Sequence, residues 1–391
     1  MPRRVLIERV IRELASYERE SASDGERRAA ERLAGELREA GCRDVRVEEE
    51  RAHGGYWWPL GLLNAGAALA ALLGRLPAAL VGGAAAAAVY DDVSGGKLWF
   101  RRWTLPHRPT WNVVAELGEP DAPRTVVFIS HHDAAHSGLV FHPELPRVGM
   151  RLMPKLHERA NQSIPIMFGL FLGPLLLALW GLLGRRSLRR AGLFFTGGAT
   201  AAMANIGASQ VVPGANDNLS AVGAVVALAH ELAERPPEGV RVLFLSNGSE
   251  ESFMEGMQAF GRRHFPALDR ETTEFVCIEC VGSPHLCVVE AEGMLRMRHY
   301  PEASREALAR AGAEAGVELT RGLRTVAATD ALIALRAGYP TCTLGGIDET
   351  KFPANYHWPT DVPDNLDWDS IEGATEVCLR YLSVLRHQVG G

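Results

Sequence analysis

Two histidines and a set of carboxylates stand at the ends of separate apolar runs in this chain. His131 and Asp133 follow Thr125–Ser130, Asp217 lies in the turn Pro213-Gly-Ala-Asn-Asp-Asn-Leu-Ser220, and the pair Glu250-Glu251 follows Val240–Ser246. Glu279 interrupts the apolar run Phe275–Val281, and His357 sits in the loop Asn355-Tyr-His-Trp-Pro-Thr-Asp361. Imidazole nitrogens and carboxylate oxygens are the donor set of a zinc site. Donors delivered by the ends of several strands converge above an α/β sheet. There are enough of them for two ions, and the chemistry this points to is hydrolysis by a metal-activated water.

Each element alone has a plainer reading. His-x-Asp suits a solvated loop, an Asp at a helix start is an ordinary cap, and Glu in a first helical turn suits the helix dipole. Glu279 is harder to dismiss, because an unpaired charge in an apolar strand is costly and demands a cation. Asp133, two residues beyond His131, is placed to accept the second ring proton of a ligating histidine. Adjacent carboxylates such as Glu250 and Glu251 leave a strand end on different bearings, so one can bind metal while the other reaches the water.

The elements needed to position these groups alternate between strand and helix. Residues 3–17 and 24–40 have amphipathic helical spacing, and Asp44–Glu50 alternates as a strand. Trp111–Leu117, Thr125–Ser130, Val240–Ser246, Phe275–Val281 and Tyr339–Leu344 read as strands, and Asn218–Leu232, 301–315 and 368–386 as helices. The continuous apolar strands predict a mostly parallel, mixed central sheet flanked by helices on both faces.

Two stretches fall outside that plan. Tyr56–Tyr90 is nearly uncharged except for Arg75, and Ile164–Gly184 is an apolar run followed by Arg185-Arg-Ser-Leu-Arg-Arg190 and a weaker apolar run to Val212. A spanning helix needs about 20 apolar residues, so residues 56–90 and 164–212 are expected to be inserted helical hairpins in contact with a lipid bilayer. Trp57, Trp58 and Trp180 suit an interfacial aromatic belt. Buried soluble helices or an apolar lid are the alternative. No apolar stretch follows Met1-Pro-Arg-Arg, so no secretory signal is expected there. The Lys and Arg count around the hairpins does not decide orientation; a multi-pass membrane protein with its catalytic domain on the cytoplasmic side is the expectation.

The remaining composition is mostly exclusion. At 391 residues and net charge -6 the chain suits one large domain and has no basic footprint for nucleic acid. Six cysteines are too few and scattered for a disulfide framework. Cys277-Ile-Glu-Cys280 has redox-motif spacing, but inside a strand residues three apart face opposite sides, so both are expected in the core.

Taken in order, His131-His-Asp133, Gly214-Ala-Asn-Asp217, Glu250-Glu251, Glu279-Cys-Val-Gly282 and Tyr356-His357 resemble the co-catalytic zinc exopeptidases, the family of bacterial leucyl aminopeptidases and glutamate carboxypeptidase. The resemblance implies two zinc ions bridged by Asp217, one completed by His131 and Glu279 and the other by Glu251 and His357. Glu250 would be the general base toward the bridging water, Asp133 the partner of His131, and Tyr356 a donor to the oxyanion. The implied activity is that of an aminopeptidase on short peptides. The sequence departs from the family in Glu279, where Asp is usual, and in Ser252-Phe-Met-Glu255, where Gly-Leu is usual. Ala331 also stands beside Asp330 where a polar residue is common. Phe352–His357 is also similar to a loop of glutaminyl cyclases, which use one zinc, so a single-zinc acyltransferase is one rival. A non-catalytic binding protein on the same fold is the other.

Overall fold

The computed structural model describes residues 1–159, 161–163 and 167–387. Nine strands form one sheet: β1 (Arg43–Ala52), β2 (Arg108–Gly118), β3 (Arg124–His131), β4 (Val240–Asn247), β5 (Thr273–Glu279), β6 (His285–Glu292), β7 (Arg298–His299), β8 (Thr320–Thr325) and β9 (Thr341–Ile347). Their order in space is β1-β2-β4-β3-β5-β9-β6-β7, with β8 also pairing β6. The centre, β4-β3-β5-β9, is parallel. β1 and β2 pair antiparallel, as do β2 with β4 and β6 with β9. The sheet is thus mixed around a parallel centre, as its apolar runs require: Val126 to Ile129 of β3 are at most 1% exposed on both faces.

Successive side chains of these strands feed two separate cores. Val126 and Phe128 join the helices Arg3–Leu14, Asp24–Glu39, Ser220–Glu234, Glu302–Ala315 and Trp368–His387 on one face. Val127 and Ile129 join Glu255–His264, Ala331–Arg336 and the inner side of the apolar insertions on the other. This is the three-layer arrangement expected from the alternating elements. Beyond the elements expected from sequence, the chain forms β6, β7 and β8 and the short helices Glu144–Leu152 and Pro154–Arg159.

The insertions are helical. The first occupies the connection between β1 and β2 as Trp57–Leu73 and Arg75–Val93; the second lies between β3 and Asp217 as Phe168–Leu183 and Arg186–Ala208. Residues 164–166 of the second apolar run lie outside the described residues. The two hairpins pack side by side, and small residues allow the approach. A Cβ on Gly82 would lie 2.8 Å from the Pro174 carbonyl oxygen, and one on Gly181 would lie 2.4 Å from that of Arg75. Arg75, in the first turn, donates to the carbonyls of Gly181 and Leu182, so the two hairpin tips meet. Charged residues stand only at the ends of these helices: Arg75, Arg186, Arg189 and Arg190 at the tips, Asp91 and Asp92 at the root. One helix among the described residues, Arg75–Val93, is long and apolar enough to cross a membrane; Trp57–Leu73 and Phe168–Leu183 are apolar but shorter.

Candidate metal centre

The five proposed ligands come together at the carboxyl ends of the parallel strands. His131 is the last residue of β3, Glu279 the last of β5, and Glu250-Glu251 follow β4 after Gly248 and Ser249. His357 is carried by the loop after β9, and Asp217 by a kinked turn (Ala215–Leu219), non-helical at Asp217 and Asn218, that leads into Ser220–Glu234. Asp217 faces both histidines, its Oδ1 3.2 Å from His131 Nε2 and its Oδ2 3.3 Å from His357 Nε2. Glu279 Oε1 lies 3.4 Å from His131 Nε2 on one side, and Glu251 Oε2 3.0 Å from His357 Nε2 on the other.

This arrangement fits a bound cation. Neither nitrogen of His357 nor Oε1 of Glu251 has a hydrogen-bond partner among the described residues, although all are buried. Donor atoms of His131, Asp217 and Glu251 lie within 4.8 Å of one another. Orphaned buried donors that crowd one point need a shared positive centre, and nitrogen with carboxylate oxygen is a zinc-type set. The same spacing holds for Asp217, Glu279 and Cys280. The Cys280 thiol is buried, as expected, and also borders the site, 3.5 Å from Glu279.

The surrounding layer is more extensive than the sequence suggested. Asp133 Oδ1 faces His131 Nδ1 at 3.4 Å, as expected, but the carboxylate also accepts from the backbone N–H of Glu250 and of Glu251 and from Ser21 Oγ. Asp361 accepts from the N–H groups of Asn216 and Asp217. Fully buried Glu26 accepts from Ser249 N–H and Oγ and from Thr110 and Trp111. Buried Arg19 donates to the carbonyls of His132, Pro213 and Gly214, tying the two ligand turns together. No motif announced Glu26, Asp361 or Arg19, since their partners are backbone groups far away in sequence. His132 points away to Ser246 and is no ligand here. Tyr356 stacks on His357 with ring centroids 3.9 Å apart.

Burial would push His131 down, but Glu279, Asp133 and Asp217 outweigh it and hold the imidazole well above its ordinary value. Burial tends to raise Asp217; the facing imidazoles of His131 and His357 reverse that and hold it low. Burial pushes Glu250 well above the carboxylate range and Glu251 up to about 7.

Glu292, at the end of β6, is pushed up to about 8 by burial. A carboxyl whose folded value exceeds its unfolded value favours folding when protonated, so its stabilising share fades as pH rises from about 4.5 to about 8. Glu292→Gln is expected to raise Tm at pH 9 and change it little at pH 5. Equal Tm shifts at both pH values in thermal melts would contradict this.

The ligands open onto an apolar cleft. Its walls include Tyr56 and Met167 at the roots of the two hairpins, together with Phe141, Phe253 and Met294, and Glu250, Glu251 and His357 lie at its floor. Phe141, Phe352 and Tyr356 also border a wider groove of about 720 Å³.

Known proteins share this architecture. A Zn-dependent exopeptidase from Parabacteroides distasonis superposes with TM-score 0.57 at 12% identity, covering 97% of each chain. A leucine aminopeptidase precursor from Bacteroides thetaiotaomicron gives 0.54 at 14%, covering 97% of this chain and 96% of its own. Tannerella forsythia glutaminyl cyclase gives 0.55 at 15%, with 97% and 96% covered. No curated protein matches the chain significantly in sequence. The sequence profile of Peptidase family M28 matches residues 201–382, which hold four of the five proposed ligands, and with the exopeptidase-like fold this match bears out the resemblance read from the sequence.

Proposed function

We propose that the chain is a two-zinc metallopeptidase, an aminopeptidase acting on short peptides, anchored in a membrane by its hairpins. The observation that carries the reading is Asp217, whose two oxygens each face a different histidine. Asp217 would bridge the ions, His131 and Glu279 would complete one, and Glu251 and His357 the other. When bound, the ions supply Lewis acidity that polarises the scissile carbonyl and lowers the pKa of water. Glu250 lies in the same cleft without belonging to a ligand pair. It takes the proton of the attacking water and passes it to the leaving amine. Asp133 fixes both His131 and the backbone of Glu250 and Glu251, and the Tyr356 hydroxyl is available to the oxyanion.

Elemental analysis of protein in mild detergent tests this. About two zinc ions per chain are expected, falling sharply in Asp217→Ala. About one zinc would favour a glutaminyl cyclase-like acyltransferase, a reading to which the loop Phe352–His357 lends support. No metal would leave a binding protein.

The membrane part rests on the outer surface of the hairpins. Leu62, Leu69, Leu72, Leu76, Leu80, Leu182 and Phe194 are each more than half exposed. At about 1.5 Å per residue, the 17-residue Trp57–Leu73 spans about 25 Å, near the roughly 30 Å of a hydrocarbon core. Tyr56 and Met167 place the cleft at the hairpin roots, which suits a membrane-proximal peptide. The same proposal puts the catalytic domain on the cytoplasmic side.

A further inference from the structure

The segment that carries Glu250 and Glu251 is a strained loop. Ser249, Phe253 and Met254 have φ of 52°, 68° and 58°, in the left-handed region that non-glycine residues avoid. Such a backbone persists only when its surroundings hold it. Two of the holding groups, Glu26 and Asp133, belong to the α/β body. The third does not.

Arg101 is fully buried, on the short helix Trp99–Thr104 just after the first hairpin. Its Nη1 donates to the Ser252 carbonyl at 2.5 Å and to Glu255 Oε2 at 3.3 Å. Its Nε donates to Asp92 Oδ2 at 3.1 Å, and Nη2 pairs with the other oxygen of Asp92, the last acidic residue of the hairpin. Glu255 in turn accepts from the N–H groups of His53 and Gly54, where the chain leads into the same hairpin. Phe253 is gripped between Tyr56, with centroids 4.7 Å apart, and the Arg101 guanidinium, 5.1 Å from its ring. Both roots of the first hairpin are therefore fastened to the residues directly after Glu251.

We infer that Arg101 is a positioning residue: it transmits the seating of the first hairpin to the loop that places Glu250 and Glu251 over Asp217. A guanidinium suits this task, because its fork can hold a carboxylate and a carbonyl at once. The inference rests on the peptidase reading for its kinetic consequence but not for its structural one.

The test uses full-length protein in detergent, comparing wild type, Arg101→Met and Arg101→Lys. Hydrogen exchange read by mass spectrometry is expected to quicken over residues 249–256 in both variants, with β4 unchanged. Arg101→Met should keep its bound metal, and its kcat on a peptide substrate should fall about 10–100-fold, the range a small misplacement produces, with KM within about threefold. Arg101→Lys keeps the charge beside Asp92 and Glu255 and should recover part of that loss. If Arg101→Met does not fold, Arg101→Lys alone decides by the same exchange and kcat measurements. A folded variant with wild-type exchange over residues 249–256 and wild-type kcat overturns the inference. Wild type without peptidase activity or metal would instead overturn the peptidase reading, and the exchange measurement would still judge the clamp.

Discussion

Glu250→Gln is expected to lower kcat on a peptide substrate by about 10²–10⁴-fold, the usual contribution of a positioned general base, with the metal content unchanged. Gln has nearly the same shape and still accepts a hydrogen bond, but it cannot carry a proton between water and amine. Glu250 is also outside the ligand pairs: its Oε2 is 3.9 Å from His131 Nε2, whereas Glu251 lies 3.0 Å from His357. The loss should therefore fall on kcat with KM little altered, the pattern of an interaction made only in the transition state. Glu251→Gln gives the contrast, because it should lose metal as well as activity. Kinetics and elemental analysis of the two variants decide the assignment. If Glu250→Gln loses the metal and Glu251→Gln keeps it, the roles are exchanged.

The site was legible because its ligands have to occupy strand ends, and a strand end is visible as the point where an apolar run meets a charge. His131, Glu251 and Glu279 were found that way, and Asp217 and His357 by the turn and the loop that carry them. Apart from Asp133, the holding groups were not visible, for a reason that follows from their chemistry. Glu26 serves the backbone of Ser249, 223 residues away, and any buried carboxylate could do so. Cys280 shows a different limit. Alternation along a strand put Cys277 and Cys280 on opposite sides, but β5 ends at Glu279, and Cys280 has a φ of 53°. Beyond the strand the period of two no longer holds, and the thiol turns to the carboxylates.

The fold shows the same division. Continuous apolar runs revealed the parallel centre, where both faces are buried and the pattern is unambiguous. β7 and β8 lie at the far edge of the sheet, where residues such as Arg298 and His299 are exposed and no apolar run marks the strand, and β6 is marked only by the short run Leu286–Val289. The helix Glu144–Leu152 has no buried residue at all, so its sequence carries no core stripe of the usual kind. Buried polar networks and short edge elements depend on tertiary partners, which local pattern does not record.

The double substitution Leu69→Asp and Leu80→Asp separates the two readings of the hairpins. Both side chains point outward, 62% and 66% exposed, so neither change removes core packing. In water, replacing exposed leucine by aspartate is close to neutral for folding and favours solubility. In a bilayer each carboxylate must be carried into hydrocarbon, at about 2.5–3.5 kcal/mol near the middle of a span. Leu69 and Leu80 stand nearer the hairpin tip than the middle, so the two changes together weaken insertion by about 3 kcal/mol, on the order of a hundredfold in the partition. The membrane reading therefore expects the variant to leave the membrane fraction, while wild type stays in it after a high-salt wash. Turnover of a peptide displayed on vesicles should fall with it, and turnover of a soluble peptide should persist, since neither residue lines the cleft. Protease added to intact and then lysed cells reports the side of the catalytic domain, with cleavage only after lysis expected for a cytoplasmic placement. Wild type found in the soluble fraction, with the variant indistinguishable from it, would make the hairpins an apolar lid and leave the metal centre as the whole of the function.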